Sequence, residues 1–294
     1  MKVSLALLHA TLVAVVGLGI WNAAESKADD VEYLMVPSAA MGRDVPVAFH
    51  GGGPHAAILL DAFDDPPDVS NWVTMGNAMK ALVGKGIAVA APAGGAWSFY
   101  TNWEQDGSKQ WETFLSAELP DWLAANKNLA LGGHGIIGAA QGGTAALALA
   151  EFHPDRYRYA GSLSGFLTPS DTTLNGAITA GLLQYGGVDT RNMWGPAQLG
   201  RWKWHDPNVH ASLLVNNNTR VWVVSPEAST CSDPAAMIGY CDQALGSNRE
   251  FYLHYHQIGG NNAHADFPSG VNHDWSTWSA QLSAMSGDLV ATIK

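Results

Sequence analysis

The chain reads as an α/β protein, a doubly wound and mostly parallel sheet in a single domain. Three observations predict this. Short apolar runs, Ala56 to Ala62, Ile87 to Pro92 and the stretch before Gly138, show the continuous hydrophobicity of strands covered on both faces. Segments of 3.6-residue periodicity lie between them, and strands that alternate with helices argue parallel crossovers. The 294 residues keep one evenly mixed composition, 47% hydrophobic and 14% charged, with no break that would mark a second domain.

In order, Lys2, an apolar run from Leu5 to Ile20 and Ser26-Lys27-Ala28 ahead of Asp29-Asp30 have the layout of a secretory leader. Residues 1–28 are therefore expected to be removed and residues 29–294 to form the domain. The alternative is an uncleaved anchor, for which the run is short of the roughly 20 residues a span requires. No later stretch is apolar for long enough to cross a bilayer. Val31 to Pro37 and Asp44 to His50 read as a hairpin, Gly51-Gly-Gly-Pro54 as a turn, and Ala56 to Ala62 as a buried strand that breaks into the polar loop Asp61 to Pro67. Asn71 to Gly84 has helical spacing, with Trp72, Met75, Met79 and Leu82 on one side. Past the strand Ile87 to Pro92 comes an aromatic, glycine-rich loop, Gly94 to Trp103, placed where open α/β sheets bind ligands. Trp111 to Ala125 is a helix interrupted by Pro120. Tyr157 to Ser164 is a strand, and Gly176 to Gly200 is a lid or irregular helical insertion. Thr219 to Ser225 is a strand, Asp233 to Leu245 a helix, Phe251 to Ile258 a strand, and Trp275 to Ile293 the final helix.

The stretch from Leu131 to Pro154 organises the rest, as a buried strand, a glycine-bracketed turn and a helix packed close behind. That is the form of the nucleophile elbow of the α/β-hydrolase fold, whose turn carries G-x-S-x-G. Here the turn is Gly138-Ala139-Ala140-Gln141-Gly142, so the frame stands and a methyl group occupies the place of the nucleophile. The loop after Asp61 would supply one oxyanion donor in this fold. His273, ahead of the last helix, takes the position of the base, or is an ordinary exposed loop histidine. The acid should follow the Thr219 strand, where Glu227, Asp233 and Asp242 are available and none is marked out. Gly161-Ser-Leu-Ser-Gly165 is not a second elbow, since neither serine has glycines at both −2 and +2.

Other chemistries find less support. His254 and His256 would share one face of a strand, with His264 and Asp266 nearby, but no closed ligand set accompanies them and no metal is expected. Gly133, Gly135 and Gly138 have loose dinucleotide spacing that runs through the strand and not across the turn after it, so no cofactor is expected. The formal charge of −11 becomes −12 once Lys2, Glu25 and Lys27 leave with residues 1–28, and such a surface repels nucleic acid. Cys231 and Cys241 are the two cysteines, either bridged in an oxidising compartment or free thiols. Twelve tryptophans point to an exposed aromatic patch suited to sugars, lipids or a protein partner.

Several stretches also resemble a known family: Val36-Pro-Ser, Met41-Gly-Arg-Asp44, Leu59-Leu-Asp61, Trp111 to Pro120, His153-Pro154, Ala160-Gly-Ser-Leu-Ser164, Asn217-Asn-Thr-Arg220 and Gln281 to Met285. The chain resembles the mycobacterial antigen 85 complex, secreted mycolyltransferases that move mycolic acid between trehalose molecules and onto the cell wall, and within it looks like the member that lacks catalysis. The resemblance implies that the family's Gly-Leu-Ser-Met-Ala falls on Gly138 to Gly142, which makes Ala140 the nucleophile position and the Gln141 N–H the second oxyanion donor. It places the family's acid at Gly239, within Pro234 to Gly239, and its base at His273, within His273-Asp274-Trp275. The family's trehalose-contacting Asp-Gly-Leu-Arg falls on Asp61-Ala62-Phe63-Asp64, which keeps the aspartate and replaces the arginine by an acid. The fibronectin-binding segment falls on Met79 to Ile87, without its aromatic residues, and the family's own cysteine pair before Trp111 is absent.

The sequence thus predicts a secreted, cell-wall-associated protein without acyl-transfer activity, since a lone imidazole has nothing to activate and nothing to orient it. Its expected role is binding, with host fibronectin and small sugars as ligands and Asp61, Phe63, Asp64, Trp97, Trp103, Gln141, His273 and Trp275 as contact residues. Two other readings stand beside it. One is a weak esterase or mycolyltransferase on trehalose mycolates, in which His273 activates water and Asp274 or Asp266 orients it. The other is a structural cell-wall protein or a partner of active relatives.

Overall fold

The computed structural model describes residues 31–227 and 240–294. Strands β1 (Glu32–Ser38) and β2 (Arg43–His50) form the expected antiparallel hairpin, and β2 continues antiparallel onto β4 (Ala88–Pro92). Then β3 (Ala56–Leu60), β5 (His134–Ala139), β6 (Tyr157–Leu163), β7 (Arg220–Val224) and β8 (Ala263–Asp266) complete an eight-stranded sheet in the order β1-β2-β4-β3-β5-β6-β7-β8. Every pairing from β4 to β8 is parallel. The chain leaves β3 toward β4 on one side and returns to β5 on the other, so the strand order reverses around β3. Such a switch opens a crevice at the carboxyl ends of the strands.

Helices cover both faces. The first is split into α1 (Asn71–Thr74) and α2 (Ala78–Leu82), because Gly76 and Asn77 break the ladder and Asn77 adopts φ 51°. The single helix expected over Asn71 to Gly84 is therefore two. α3 (Trp111–Thr113) runs through a π-turn over Phe114–Glu118 into α4 (Leu119–Lys127), and Pro120 sits at its first turn, where a missing N–H costs nothing. Then follow α5 (Gln141–Phe152), α6 (Thr172–Gly186), α7 (Thr190–Trp194), α8 (Pro207–Asn216), α9 (Tyr240–Gln257) and α10 (Trp275–Ile293). The expected insertion over Gly176 to Gly200 is the helical pair α6 and α7. The strand expected over Phe251 to Ile258 is instead the second half of α9, and the edge strand falls later, at β8. His254 and His256 thus lie on a helix, His254 Nδ1 meets Asn208 Oδ1 at 2.9 Å, and among the described residues no three His, Cys, Asp or Glu side chains converge as a metal site.

Alternate residues of the central strands feed opposite cores. Ala57, Leu59, Val89, Ala91, Ile137 and Ala139 pack with α2 and α10, and Ile58, Leu60, Ala88, Ala90 and Ile136 with α4, α5, α8 and α9. Most of the tryptophans are spent there: Trp72, Trp111, Trp194, Trp202 and Trp278 are fully buried, and Trp204 is the tryptophan found among the exposed large apolar residues. No described helix is long and apolar enough to cross a membrane.

Backbone packing is close at the start of α5. A Cβ on Gly138 would lie 2.1 Å from the Gly142 carbonyl carbon, and one on Gly142 would lie 2.6 Å from the Asp61 carbonyl oxygen. Gly142→Ala should therefore cost about 3 kcal/mol or more, since backbone atoms have to move apart. Gly246→Ala, in exposed mid-α9 with nothing within 4 Å of the added carbon, should stabilise by about 1 kcal/mol. Urea midpoints of the two variants check both signs.

Candidate functional site at the strand ends

The elbow is present in full. β5 ends at Ala139, Ala140 takes φ 47° and ψ −116°, and α5 starts at Gln141. This left-handed conformation is costly for a residue with a side chain and persists only where the surroundings enforce it. The Ala140 N–H donates to the Leu163 carbonyl at 2.9 Å, and its carbonyl accepts from the Gly143 and Thr144 N–H groups at 2.9 and 3.3 Å. Five of the eight described non-glycine residues with positive φ lie past β4, β5 and β6: Trp97, Phe99, Tyr100, Ala140 and Ser164. The strain is concentrated where an active site of this fold would be. The Ala140 side chain, a buried methyl, has no atom that can attack a carbonyl.

Gln141 lies inside. Its Nε2 donates to the carbonyls of Ala62 at 2.7 Å and Gly95 at 3.0 Å, while its Oε1 accepts from the Phe99 N–H at 2.9 Å. One side chain so ties the elbow to the loops after β3 and β4. Asp61 is also interior: its carboxyl accepts from Ser70 Oγ at 3.0 Å, the Asn71 N–H at 2.8 Å and the Trp72 N–H at 3.1 Å, capping α1. Burial, with Asp65 beside it, pushes the Asp61 carboxyl well above the usual range. The Tyr100 hydroxyl accepts from the Asp61 N–H at 3.0 Å and donates to Asp65 Oδ2 at 2.9 Å, and the Gly95 N–H donates to the same oxygen at 2.5 Å. Burial is the first cause that raises Asp65 and Tyr100 as well. Nothing in the sequence marked Asp65 or Tyr100, because their partners are fixed only by the crossing of two loops.

The aromatic candidates are walls. Phe63 stacks on half-buried Trp97 at 5.1 Å and meets Phe99 and Phe166 at 5.6 and 5.7 Å. Trp103 is buried, with Nε1 donating to the Ser98 carbonyl at 3.0 Å and Lys109 over its ring at 4.0 Å. The loop Gly94 to Trp103, expected at the ligand-binding ends of the strands, lies there with Phe99, Tyr100 and Trp103 folded inward. Trp275 packs edge-on against Trp72 and Trp278, each at 5.1 Å. Asp64 faces solvent.

His273 is buried and not an exposed loop residue. Its ring meets Trp278 edge-on at 5.1 Å, and Trp278 Nε1 donates to Ser164 Oγ at 3.2 Å. His273 Nε2 makes no hydrogen bond among the described residues. Burial lowers its pKa to about 4, so the ring is neutral at pH 7. Of the expected acids, Glu227 pairs with Arg249, and Asp242 stands exposed at the start of α9. Asp233, Gly239 and Cys231 lie outside the described residues. Cys241 is disulfide-bonded. Asp274 Oδ1 caps α10, accepting from the Thr277 N–H at 3.0 Å and Ser276 Oγ at 2.7 Å, and Asp266 Oδ2 accepts from Gln281 at 3.3 Å. These hydrogen bonds go to groups other than the imidazole.

Two outcomes follow from this geometry. Gln141→Met, close in volume, leaves the Ala62 carbonyl and the Phe99 N–H unmatched, while the Gly95 carbonyl keeps its bonds from Ser98, and should cost about 2 kcal/mol or more in urea unfolding. His273 has a folded pKa depressed below its ordinary 6.5, so its contribution is whole above pH 6.5 and is lost as pH falls toward about 4. Between pH 7.5 and 4.5, His273→Gln should lose less stability than the parent chain, by on the order of 2 kcal/mol.

Comparison with known proteins agrees with this architecture. The family model described as putative esterase matches residues 38–289. The MPT51/MPB51 antigen of Mycobacterium tuberculosis is 63% identical over 299 residues, covering 100% of both chains. A protein of Mycolicibacterium smegmatis named diacylglycerol acyltransferase/mycolyltransferase Ag85B is 41% identical, over 97% of this chain and 92% of its own. The crystal structure of Mycobacterium tuberculosis MPT51 superposes with a TM-score of 0.88 at 67% identity, covering 90% of this chain and 99% of that one. A Staphylococcus aureus serine hydrolase, 13% identical over 88% of this chain and 98% of its own, shares the fold with a TM-score of 0.70. An elbow, a mostly parallel eight-stranded sheet and full-length identity to these proteins place the chain in the putative esterase family, in its branch of MPT51 antigens and antigen 85 mycolyltransferases.

Proposed function

We propose that this chain is a secreted, non-catalytic member of its family, with residues 1–28 as its leader, and that it serves as a binding module for host fibronectin and small sugars at the cell wall. The observation that carries the first half is Ala140, which holds the strained nucleophile position with a methyl group. Two further features support it. The acid position falls by resemblance on Gly239, and the polar side chains at the strand ends, Asp61, Asp65, Tyr100 and Gln141, are occupied with one another and with the backbone. A binding role keeps the scaffold in use without the reaction that its relatives are named for. Asp64 and Trp97 are the candidate contacts that reach solvent at the strand ends, and Lys80 and Lys85 are the exposed charges of the Met79 to Ile87 segment.

The neutral Nε2 of His273, without a hydrogen bond among the described residues, favours one second reading, weak ester hydrolysis through an activated water. Turnover separates the two. Removal of a triad nucleophile typically costs about 10⁶ in rate, so a chromogenic short-chain ester and a trehalose mycolate donor should both turn over at the buffer blank. A saturable rate that disappears in His273→Ala establishes the second reading instead. The binding half is checked by surface-immobilised fibronectin and a panel of mono- and disaccharides, with Trp97→Ala and Lys80→Glu/Lys85→Glu as site variants. Absence of saturable binding to every one of these ligands overturns it.

A further inference from the structure

A cavity of about 270 Å³ opens beside α5, on a stripe that includes Thr144, Ala148 and Phe152, where the helix faces the loop past β4. None of the strand-end residues Asp61, Phe63, Ala140 or His273 lines it. The cavity adjoins the strand ends through α5 and through Phe99 and Tyr100, which line it and also bond to Gln141, Asp61 and Asp65.

Its walls have a definite chemistry. Phe99, Phe152, Trp194 and Trp204 supply aromatic surface, and Trp204, 61% exposed, stands among the most exposed large apolar side chains of the described residues. Trp194 stacks on the His205 ring at 4.7 Å with an angle of 9°, and His205 Nδ1 meets Thr101 Oγ1 at 3.1 Å, so the wall is held in place from behind. Burial lowers the His205 pKa to about 4, which leaves that ring uncharged at neutral pH. Glu112, half-buried, is the carboxylate of the lining, and its hydrogen bond from His153, Nε2 to Oε1 at 3.1 Å, holds it below the usual carboxylate range. No lysine or arginine lines the cavity.

This combination selects by charge. An anionic ligand would face Glu112, with no lysine or arginine in the lining to offset the repulsion. A neutral ligand would gain apolar burial alone. A cation with an apolar body gains that burial, the carboxylate and the negative faces of the aromatic rings, worth roughly 0.5–2 kcal/mol for each well-placed ring. The size sets the body: a cavity of about 150 Å³ holds one benzene, so about 270 Å³ takes a six-membered ring with a one- or two-carbon arm. The net charge of −11 raises the local concentration of cations around the whole molecule.

We infer that this cavity is a binding site for a compact organic ammonium ion, its ring or branched alkyl body among Phe99, Phe152 and Trp194 and its N–H⁺ at Glu112. The site needs no reaction at the elbow.

Three probes of one shape and different charge test it: benzylammonium, benzyl alcohol and benzoate, titrated into the mature protein at pH 7 while the indole N–H resonances of Trp194 and Trp204 are followed by NMR. The expected result is saturable shifts of both resonances with benzylammonium, an affinity at least about tenfold above that of benzyl alcohol, and no saturation with benzoate, since a tenfold ratio corresponds to about 1.4 kcal/mol. Glu112→Gln should lower the benzylammonium affinity to that of the alcohol and leave the alcohol unchanged. Ala148→Leu, which fills the cavity from α5, should abolish the shifts with every probe while the far-ultraviolet circular dichroism stays the same. Equal affinity for ammonium and alcohol in the parent protein, preference for benzoate, or absence of saturable shifts at Trp194 and Trp204 overturns the assignment. The ranking of the three probes in the parent chain decides the matter even where Glu112→Gln, by losing its bond to His153, fails to fold.

Discussion

The near-contact between β3, β5 and the first turn of α5 is the constraint on which the rest of this molecule depends. With hydrogen atoms in place of side chains at Gly138 and Gly142, the backbone of the turn lies against its own helix and against the carbonyls of Leu60 and Asp61. Beside that approach Ala140 takes φ 47°, and the Gln141 side chain reaches across the gap into the loops after β3 and β4. Those loops are then closed by Asp61, Asp65 and Tyr100. The same loops are also joined by backbone bonds from Gly94 to Pro66 and from Trp97 to Phe63, so the elbow anchors an already paired unit.

An elbow is an expensive turn, costing of the order of 1–3 kcal/mol for a non-glycine residue held at such an angle. In an active hydrolase that strain is repaid by an exposed nucleophile. Here the same strain stands with a buried methyl at its tip, and the surrounding polar groups have turned inward. Gln141 has both its donors and its acceptor engaged, Asp61 serves as a helix cap, and Asp274 serves as another. The aromatic rings of Phe63, Trp97 and Phe99 pack with one another across the strand ends. The strand ends of this chain are therefore organised as a joint between loops, with the geometry of chemistry and without its reacting atom.

How much of this could be read in the sequence depended on the range of the signal. Glycine spacing, apolar runs and the capping of α10 are local, and from them the elbow, the hairpin, the parallel sheet and the last helix are legible. The second half of α9 was not, since Phe251, Tyr252 and Tyr255 favour strands by composition and alternate with polar residues. The decisive pattern there is longer: Ala244, Ser247, Asn248, Phe251 and Tyr255 recur at helical spacing and are the positions buried. The split between α1 and α2 rested on Asn77 adopting a left-handed turn, which the apolar period passes over. The aromatic loop Gly94 to Trp103 was placed correctly past β4, and composition cannot say which of its rings face out and which close a wall. The cavity beside α5 was beyond sequence altogether: Glu112, Phe152, Trp194 and His205 come from four separate segments.

The buried ionisable groups carry the argument one step further. His273, His134 and His205 are all lowered to about 4, chiefly by burial, so the stability linked to them is whole above pH 6.5 and is lost as pH falls. Glu151, on α5, has the opposite sign. Both of its carboxyl oxygens are buried without a hydrogen bond among the described residues, and burial, with Asp206 nearby, raises it well above its ordinary value. Its contribution is whole below about 4.5 and is lost as pH rises through its folded value. Asp61 behaves as Glu151 does. No single pH satisfies both sets. A fold selected for stability alone has little reason to keep titrating groups in such opposition, whereas catalytic sites of this architecture depend on environments that shift them. Of these groups Asp61 and His273 belong to the strand ends, where Ala140 holds the tip of the elbow, and there the two are shifted in opposite senses.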